Sequence, residues 1–327
     1  MVPTLLVISV VIFTIIQLPP GDYLTSRIMQ LQETGDEQAL QQIRDLQSQF
    51  HFDEPVVQRY FRWMGFRWFV TFDAADQGLL QGDLGRSMET TQPVASVVGD
   101  RILLTMAISA GTILFTWMLA IPIGIYSAVR QYSISDYVFT LVGFVGISVP
   151  GFLLALVLGV LADVEGLFSP EYAAQVGWTW EKFLDLMRHI WVPIVVMGVT
   201  GTAGMIRIMR ANLLDELKKP YVTTARAKGV RPIKLLLKYP VRVALNPFIS
   251  GIGHIFPQLV SGGAIVAMVL SLPTVGPLLL AALFSEDMYL AGSMLMVLSL
   301  LGVFGTLVSD LLLLWLDPRI RYERTGG

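Results

Sequence analysis

Two ionisable side chains, His254 and Asp310, stand inside long apolar stretches. Charge at hydrocarbon depth is costly, so such residues mark functional sites by default. Together they could relay protons, the chemistry of an ion-coupled secondary transporter. Each also has a structural explanation. Asp310 lies about two turns from a basic tail and can reach the inner interface, and a neutral His254 can be hydrogen-bonded within a helix bundle. Elsewhere the residue types that do chemistry are missing or scattered. With no cysteine, a thiolate metal site and a Cys nucleophile are excluded. His51, His189 and His254 are too dispersed to suggest a metal site. No Gly-x-x-x-x-Gly-Lys-Ser/Thr run occurs, so this chain does not hydrolyse ATP. Ser261-Gly262-Gly263 reads as close helix packing rather than the nucleophile of a membrane protease. No catalytic residue, metal ligand or resident cofactor is assigned.

The elements that hold these residues follow from composition. Of 327 residues, 54% are apolar and 15% charged, with a mean hydropathy of +0.63. Soluble domains carry roughly 25% charged residues, so a disordered chain, a disulfide scaffold and an ordinary soluble enzyme are excluded. A formal charge of −2 gives no reason to expect nucleic acid. A helix crosses the bilayer core with about 20 mostly apolar residues. Six stretches qualify: Val2–Leu18, Ile102–Val129, Tyr137–Ala162, Ile190–Ile206, Phe248–Leu272 and Leu290–Leu316. The expected fold is an all-α membrane protein with six transmembrane helices and an extracytoplasmic insertion between the first two. Its segments are 1–19, 20–101, 102–317 with an inner loop at 207–247, and a tail at 318–327.

Charge sets the expected orientation. Arg207–Arg242 holds ten Lys/Arg against two acids, whereas Pro20–Asp100 holds twelve acids against six basic residues. Basic connections stay cytoplasmic. The 207–247 loop, both termini and Arg319, Arg321 and Arg324 are therefore expected inside, and 20–101 outside. Asp36 is expected to cap a helix through about Phe50. Pro55 marks a second start, followed by Val56, Val57, Tyr60, Phe61 and Met64 at helical spacing. The aromatic tract Trp63–Phe72, with Trp178, Trp180 and Trp191, fits an interfacial belt against membrane lipid.

The inner loop reads as several short helices. One continues the fourth span to about Leu217, where Pro220 interrupts it. Tyr221–Lys228 follows and is ended by Gly229, a residue suited to a left-handed C-terminal position. Pro232 permits a third helix, Ile233–Tyr239. Thr224-Ala225-Arg226-Ala227 gives the middle helix small residues suited to a groove on another protein. Contact with anionic headgroups accounts for the basic residues, but not for small residues followed by Gly.

This loop resembles the signature of ABC importer permeases, in which a Glu-Ala-Ala…Gly pattern forms a helix that docks on the ATPase. Here Thr223-Thr224-Ala225 precedes Gly229, and the Glu is absent. The run Tyr221-Val222-x-Thr224-Ala225-Arg226-Ala227-Lys228-Gly229 is similar to the dipeptide/oligopeptide branch. Collinear matches extend from residue 18 to 322. They are Leu18-Pro19-Pro20-Gly21-Asp22, Gly82-Asp83-Leu84-Gly85-Arg86-Ser87 with Pro93-Val94, Ser148-Val149-Pro150, Pro193, and Leu316-Asp317-Pro318-Arg319-Ile320-Arg321-Tyr322. The entry to the fifth span, Val243-Ala244-Leu245-Asn246-Pro247, departs slightly from the usual Asn-Ala-Leu-x-Pro. The resemblance implies a multi-pass permease of a bacterial or archaeal inner membrane. It implies a second homologous permease subunit, two ATPase subunits that bind ATP and Mg, and an extracytoplasmic substrate-binding protein. It also implies coupling through Tyr221, Thr224, Ala225, Arg226, Ala227, Lys228 and Gly229. The stretch between Asp22 and Asp53-Glu54-Pro55 is longer than in peptide or nickel permeases and is similar to a branch associated with oligosaccharides. Peptide, oligosaccharide and nickel thus remain open as substrates.

Overall fold

The computed structural model describes residues 1–17, 29, 41, 50–51, 54–162, 166–173, 177 and 179–316, and the backbone alone at 100, 173 and 254–262. The expected helix from Asp36 and the position of Trp178 lie outside the described residues. The helices are α1 (Val2–Ile16), α2 (Val56–Met64), α3 (Trp68–Thr71), α4 (Val94–Val129), α5 (Ile134–Ser148), α6 (Gly151–Ala162), α7 (Pro170–Ala173), α8 (Trp180–His189) and α9 (Trp191–Leu217). They continue with α10 (Pro220–Ala227), α11 (Pro232–Lys238), α12 (Pro240–Ala244), α13 (Asn246–Ser250), α14 (Ile252–Val269), α15 (Val275–Phe284) and α16 (Met288–Leu316). The fold is that of an all-helical membrane protein. Among the described residues, three helices are long and apolar enough to cross a bilayer: α4, α8 with α9 read as Trp180–Leu217, and α16. The bent pair α5–α6 raises the number to four, against six expected. At 15 and 18 residues, α1 and α14 occupy the first and fifth expected places.

Three boundaries differ from expectation. The helix of the second span starts at Val94 rather than Ile102, because the Pro93 carbonyl already accepts the Ser96 and Val97 amides. The third span is broken. Proline disfavours helical geometry in the residue before it, and Val149 is extended at φ −83° and ψ 119°; the two halves bend by 94°. A separate apolar helix, α15, precedes the sixth span where none was expected.

The chain forms two compact units. The first comprises Met1–Leu103 and Thr274–Leu301. In its core, Ile12 and Phe13 of α1 pack with Trp63 and Met64 of α2, and the Phe13 and Tyr60 rings meet edge-on at 5.3 Å. The Ser9 and Tyr60 hydroxyls share a 2.8 Å hydrogen bond. Trp63 is thus a core residue rather than part of an interfacial belt, whereas Phe69 and Phe72 are exposed. The Gly82–Ser87 motif turns through Gly82 and Gly85, both at positive φ. It ends at Ser87, which donates to Asp287 at 2.5 Å. Asp287 is fully buried and also accepts from the Glu89 and Leu290 amides, at 3.2 and 3.0 Å. Three donors therefore replace water around this carboxylate.

The second unit comprises Leu104–Pro273 and Gly302–Gly327. Ala120 and Ala128 of α4 pack with Met209 and Leu213 of α9, with Val241 and Ala244 of α12 and with Phe248 of α13. Gly253 of α14 lies against α16, where a Cβ would stand 2.6 Å from Thr306 Oγ1 and 2.8 Å from its backbone. Only a residue without a side chain permits that approach.

An ion-pair cluster ties α2 to the segment that follows it. Arg62 contacts Glu54 at 2.6 Å and Asp76 at 2.8 Å, and Arg67 contacts Glu54 at 3.0 Å. The hydrogen bond from Arg62 holds the Glu54 carboxyl below the usual carboxylate range. A carboxyl with a depressed folded pKa stabilises the fold above its unfolded pKa of about 4.3 and loses that contribution as pH falls below it. Proteolytic resistance of the 54–81 segment is therefore expected to be flat from neutral pH to about 4.5 and to decline below that. Glu54→Gln should lower resistance at neutral pH and remove much of the pH dependence; an unchanged acid profile in the variant contradicts the assignment.

Candidate functional site

The inner loop is built by prolines. Pro220 and Pro232 open α10 and α11 at their first turns, where a missing N–H costs nothing. Lys219, before Pro220, is extended at φ −69° and ψ 146°, which separates α10 from the end of α9. At its other end, Gly229 adopts φ +73°. Its amide donates to the Arg226 carbonyl at 3.0 Å, and the Val230 amide donates to the Ala225 carbonyl at 3.3 Å. These two bonds form a Schellman motif, which satisfies the last carbonyls of α10. The sequence expectation of a short helix closed by Gly229 is met, with bounds shifted by one residue.

Of the seven expected loop residues, six are presented outward to some degree. Thr224, Arg226, Ala227, Lys228 and Gly229 are exposed and Ala225 is half-buried. Tyr221 turns back instead, donating its hydroxyl to Glu216 at 2.5 Å, and Thr224 donates to the Pro220 carbonyl at 3.0 Å. The anchor is a residue the sequence pattern did not single out: Val222, 1% exposed. Leu235 does the same for α11. Lys218, Lys219, Arg226, Lys228, Arg231 and Lys234 are exposed, and none forms an ion pair among the described residues. The loop thus offers a short rigid helix with a cationic surround.

Above the loop, α9 is fastened to α5. Ser133 caps α5 by accepting the Asp136 amide at 3.2 Å. Asp136 accepts from the Tyr132 amide at 3.0 Å and from Arg210 Nε and Nη2 at 3.2 and 3.0 Å. This fork engages both carboxylate oxygens, the geometry that makes Arg pairs directional. Asp136 is buried, and Arg210 sits seven residues before the end of α9. The sequence pattern singled out neither residue, and the two partners stand 74 residues apart.

Of the two intramembrane ionisable residues, only Asp310 has a described side chain. Asp310 is exposed on α16 without an ion pair among the described residues, and His254 lies on α14, its side chain outside the description. His189 instead bonds the Asp185 carbonyl at 2.8 Å.

Two family models match the chain. The binding-protein-dependent transport system inner membrane component covers residues 120–322, and the N-terminal model of the same membrane component covers residues 1–109. The chain belongs to this family: it is a multi-pass inner-membrane permease subunit of an ABC importer, and ATP hydrolysis resides in other subunits. Similar proteins include the oligopeptide transport system permease AppB of Bacillus subtilis, 29% identical over 98% of this chain and 96% of that protein. The glutathione transport system permease GsiC of Escherichia coli K12 is 28% identical over 99% of this chain and 96% of its own length. The peptidoglycan transport system permease YejB of Agrobacterium fabrum is 27% identical with the same coverage.

Removing the Asp136 carboxylate strands the Arg210 guanidinium in a half-buried place. Asp136→Ala is expected to cost roughly 1–3 kcal/mol and to lower the thermal midpoint of the purified protein in detergent. Asp136→Ala with Arg210→Met should recover part of that loss, since no charge is then left alone. A double variant no more stable than the single one contradicts this role.

Proposed function

We propose that the chain imports peptides as one of two related permease subunits, fed from outside by a substrate-binding protein and driven by two ATPases docked on the inner loop. The observation that carries this reading is α10: an exposed eight-residue helix, held by Val222 and closed by Gly229, standing clear at the end of α9. ATP binding closes the ATPases on α10, and the displacement passes along α9 toward the membrane. Ala225 and Ala227 admit close approach because they are small, Arg226 and Lys228 meet acidic residues at the rim of the groove, and Gly229 holds the turn. ATP and Mg belong to the ATPases.

The peptide class is supported by relatives named for oligopeptide and glutathione transport. No relative reported above is named for nickel, and the ion-coupled reading of His254 and Asp310 draws no support from them. The basic loop favours the orientation with 207–247 and both termini in the cytoplasm and 20–101 outside.

Gly229 separates coupling from folding. A β-branched residue at φ +73° is strained by roughly 1–3 kcal/mol, although no neighbour lies within 4 Å of a Cβ there. Gly229→Val is expected to insert normally and to retain ATP hydrolysis in the assembled complex while losing most substrate-stimulated uptake. Full uptake with hydrolysis coupled as in the parent removes the loop from the coupling path.

A further inference from the structure

Within the second unit, a cavity of about 440 Å³ opens between α4, α6, α9 and α14. That volume lies within the roughly 300–1,000 Å³ typical of small-molecule sites. Thr112 and Thr116 line it from α4, and Gly201 and Gly204 from α9. None of the described lining residues carries a charge. The break at Pro150 brings Gly151, the first residue of α6, to its wall, and Pro150 has no N–H to offer the Gly146 carbonyl. Discontinuous helices of this kind occur where transporters bind their cargo.

The two threonines of α4 differ. Thr116 donates to the Gly198 carbonyl at 3.3 Å. Thr112 is only 5% exposed, and its hydroxyl oxygen is occluded, with no hydrogen-bond partner among the described residues. An unpaired buried hydroxyl is a standing cost that packing alone does not select. Gly204 adds space: a Cβ there would meet nothing within 4 Å.

We propose that this cavity receives an uncharged stretch of the transported peptide, and that the Thr112 side chain turns its occluded hydroxyl from between the helices to pair with a backbone amide of the cargo. An apolar wall with a neutral hydroxyl accepts peptide backbone and small apolar side chains and leaves charged ends outside. The inference rests on the peptide-permease reading and adds the place of contact.

The chain contains no cysteine, so a thiol placed at Gly204 is the single one in this subunit, and its modification is read on this subunit's band. In membrane vesicles holding the assembled importer and its binding protein, maleimide modification of Gly204→Cys is followed with and without tetra-alanine. At about twice its Kd, tetra-alanine should slow modification about threefold. Thr112→Val should raise the uptake KM for tetra-alanine about tenfold, the worth of one hydrogen bond, with the thermal midpoint unchanged or higher. A role confined to packing would lower the midpoint and leave KM alone, overturning the assignment. Modification indifferent to tetra-alanine in an importer that takes it up also overturns it, as does a thiol blocked in the complex at all times, which would place lipid or the second subunit there. Failure of the unaltered importer to take up any peptide defeats the peptide reading instead. Slowing by maltotriose but not by tetra-alanine defeats the amide contact.

Discussion

One unbroken helix, α9, runs for 27 residues from Trp191 to Leu217, roughly 40 Å, and the organisation of the second unit depends on it. Its upper half lines the cavity with Gly201 and Gly204. Its lower half is held by the bidentate Asp136–Arg210 pair and by Met209 and Leu213, which are fully buried against α4 and the loop. Its end delivers α10. A packed helix does not bend continuously, so a displacement applied near Leu217 is carried to the cavity wall rather than absorbed on the way.

The polar groups of the interior follow two different solutions. Asp287 pairs with no cation among the described residues and is satisfied by a hydroxyl and two amides, which fixes the Gly82–Ser87 turn against the start of α16. Asp136 uses Arg210 and so ties together two helices far apart in sequence. Thr112 uses neither. Its hydroxyl, beside an open cavity, is one of several buried polar atoms without a partner among the described residues.

Much of the loop was legible because its signals are local. Pro220, Pro232 and Gly229 act within one or two residues, and the helix bounds fell within a residue of expectation. The apolar stretches were legible for the same reason. What escaped depends on contacts across the fold. Val222 looks like any small apolar residue until its burial is seen, and nothing near Asp136 points to Arg210. Trp63 carries the composition of an interfacial residue but is claimed by Phe13 and Tyr60. Pro150 was visible as a residue, but the 94° bend at that point depends on what α5 and α6 pack against.

The central claim is that α10 is the docking element for an ATPase, and site-specific crosslinking tests it most directly. A single cysteine at exposed Ala227, carrying a photoreactive group in native membranes, should join the chain to an ATP-binding subunit, with a yield that changes when ATP is bound. The contradictory result is adducts to lipid alone, together with uptake that survives ATP depletion and collapses with the proton gradient.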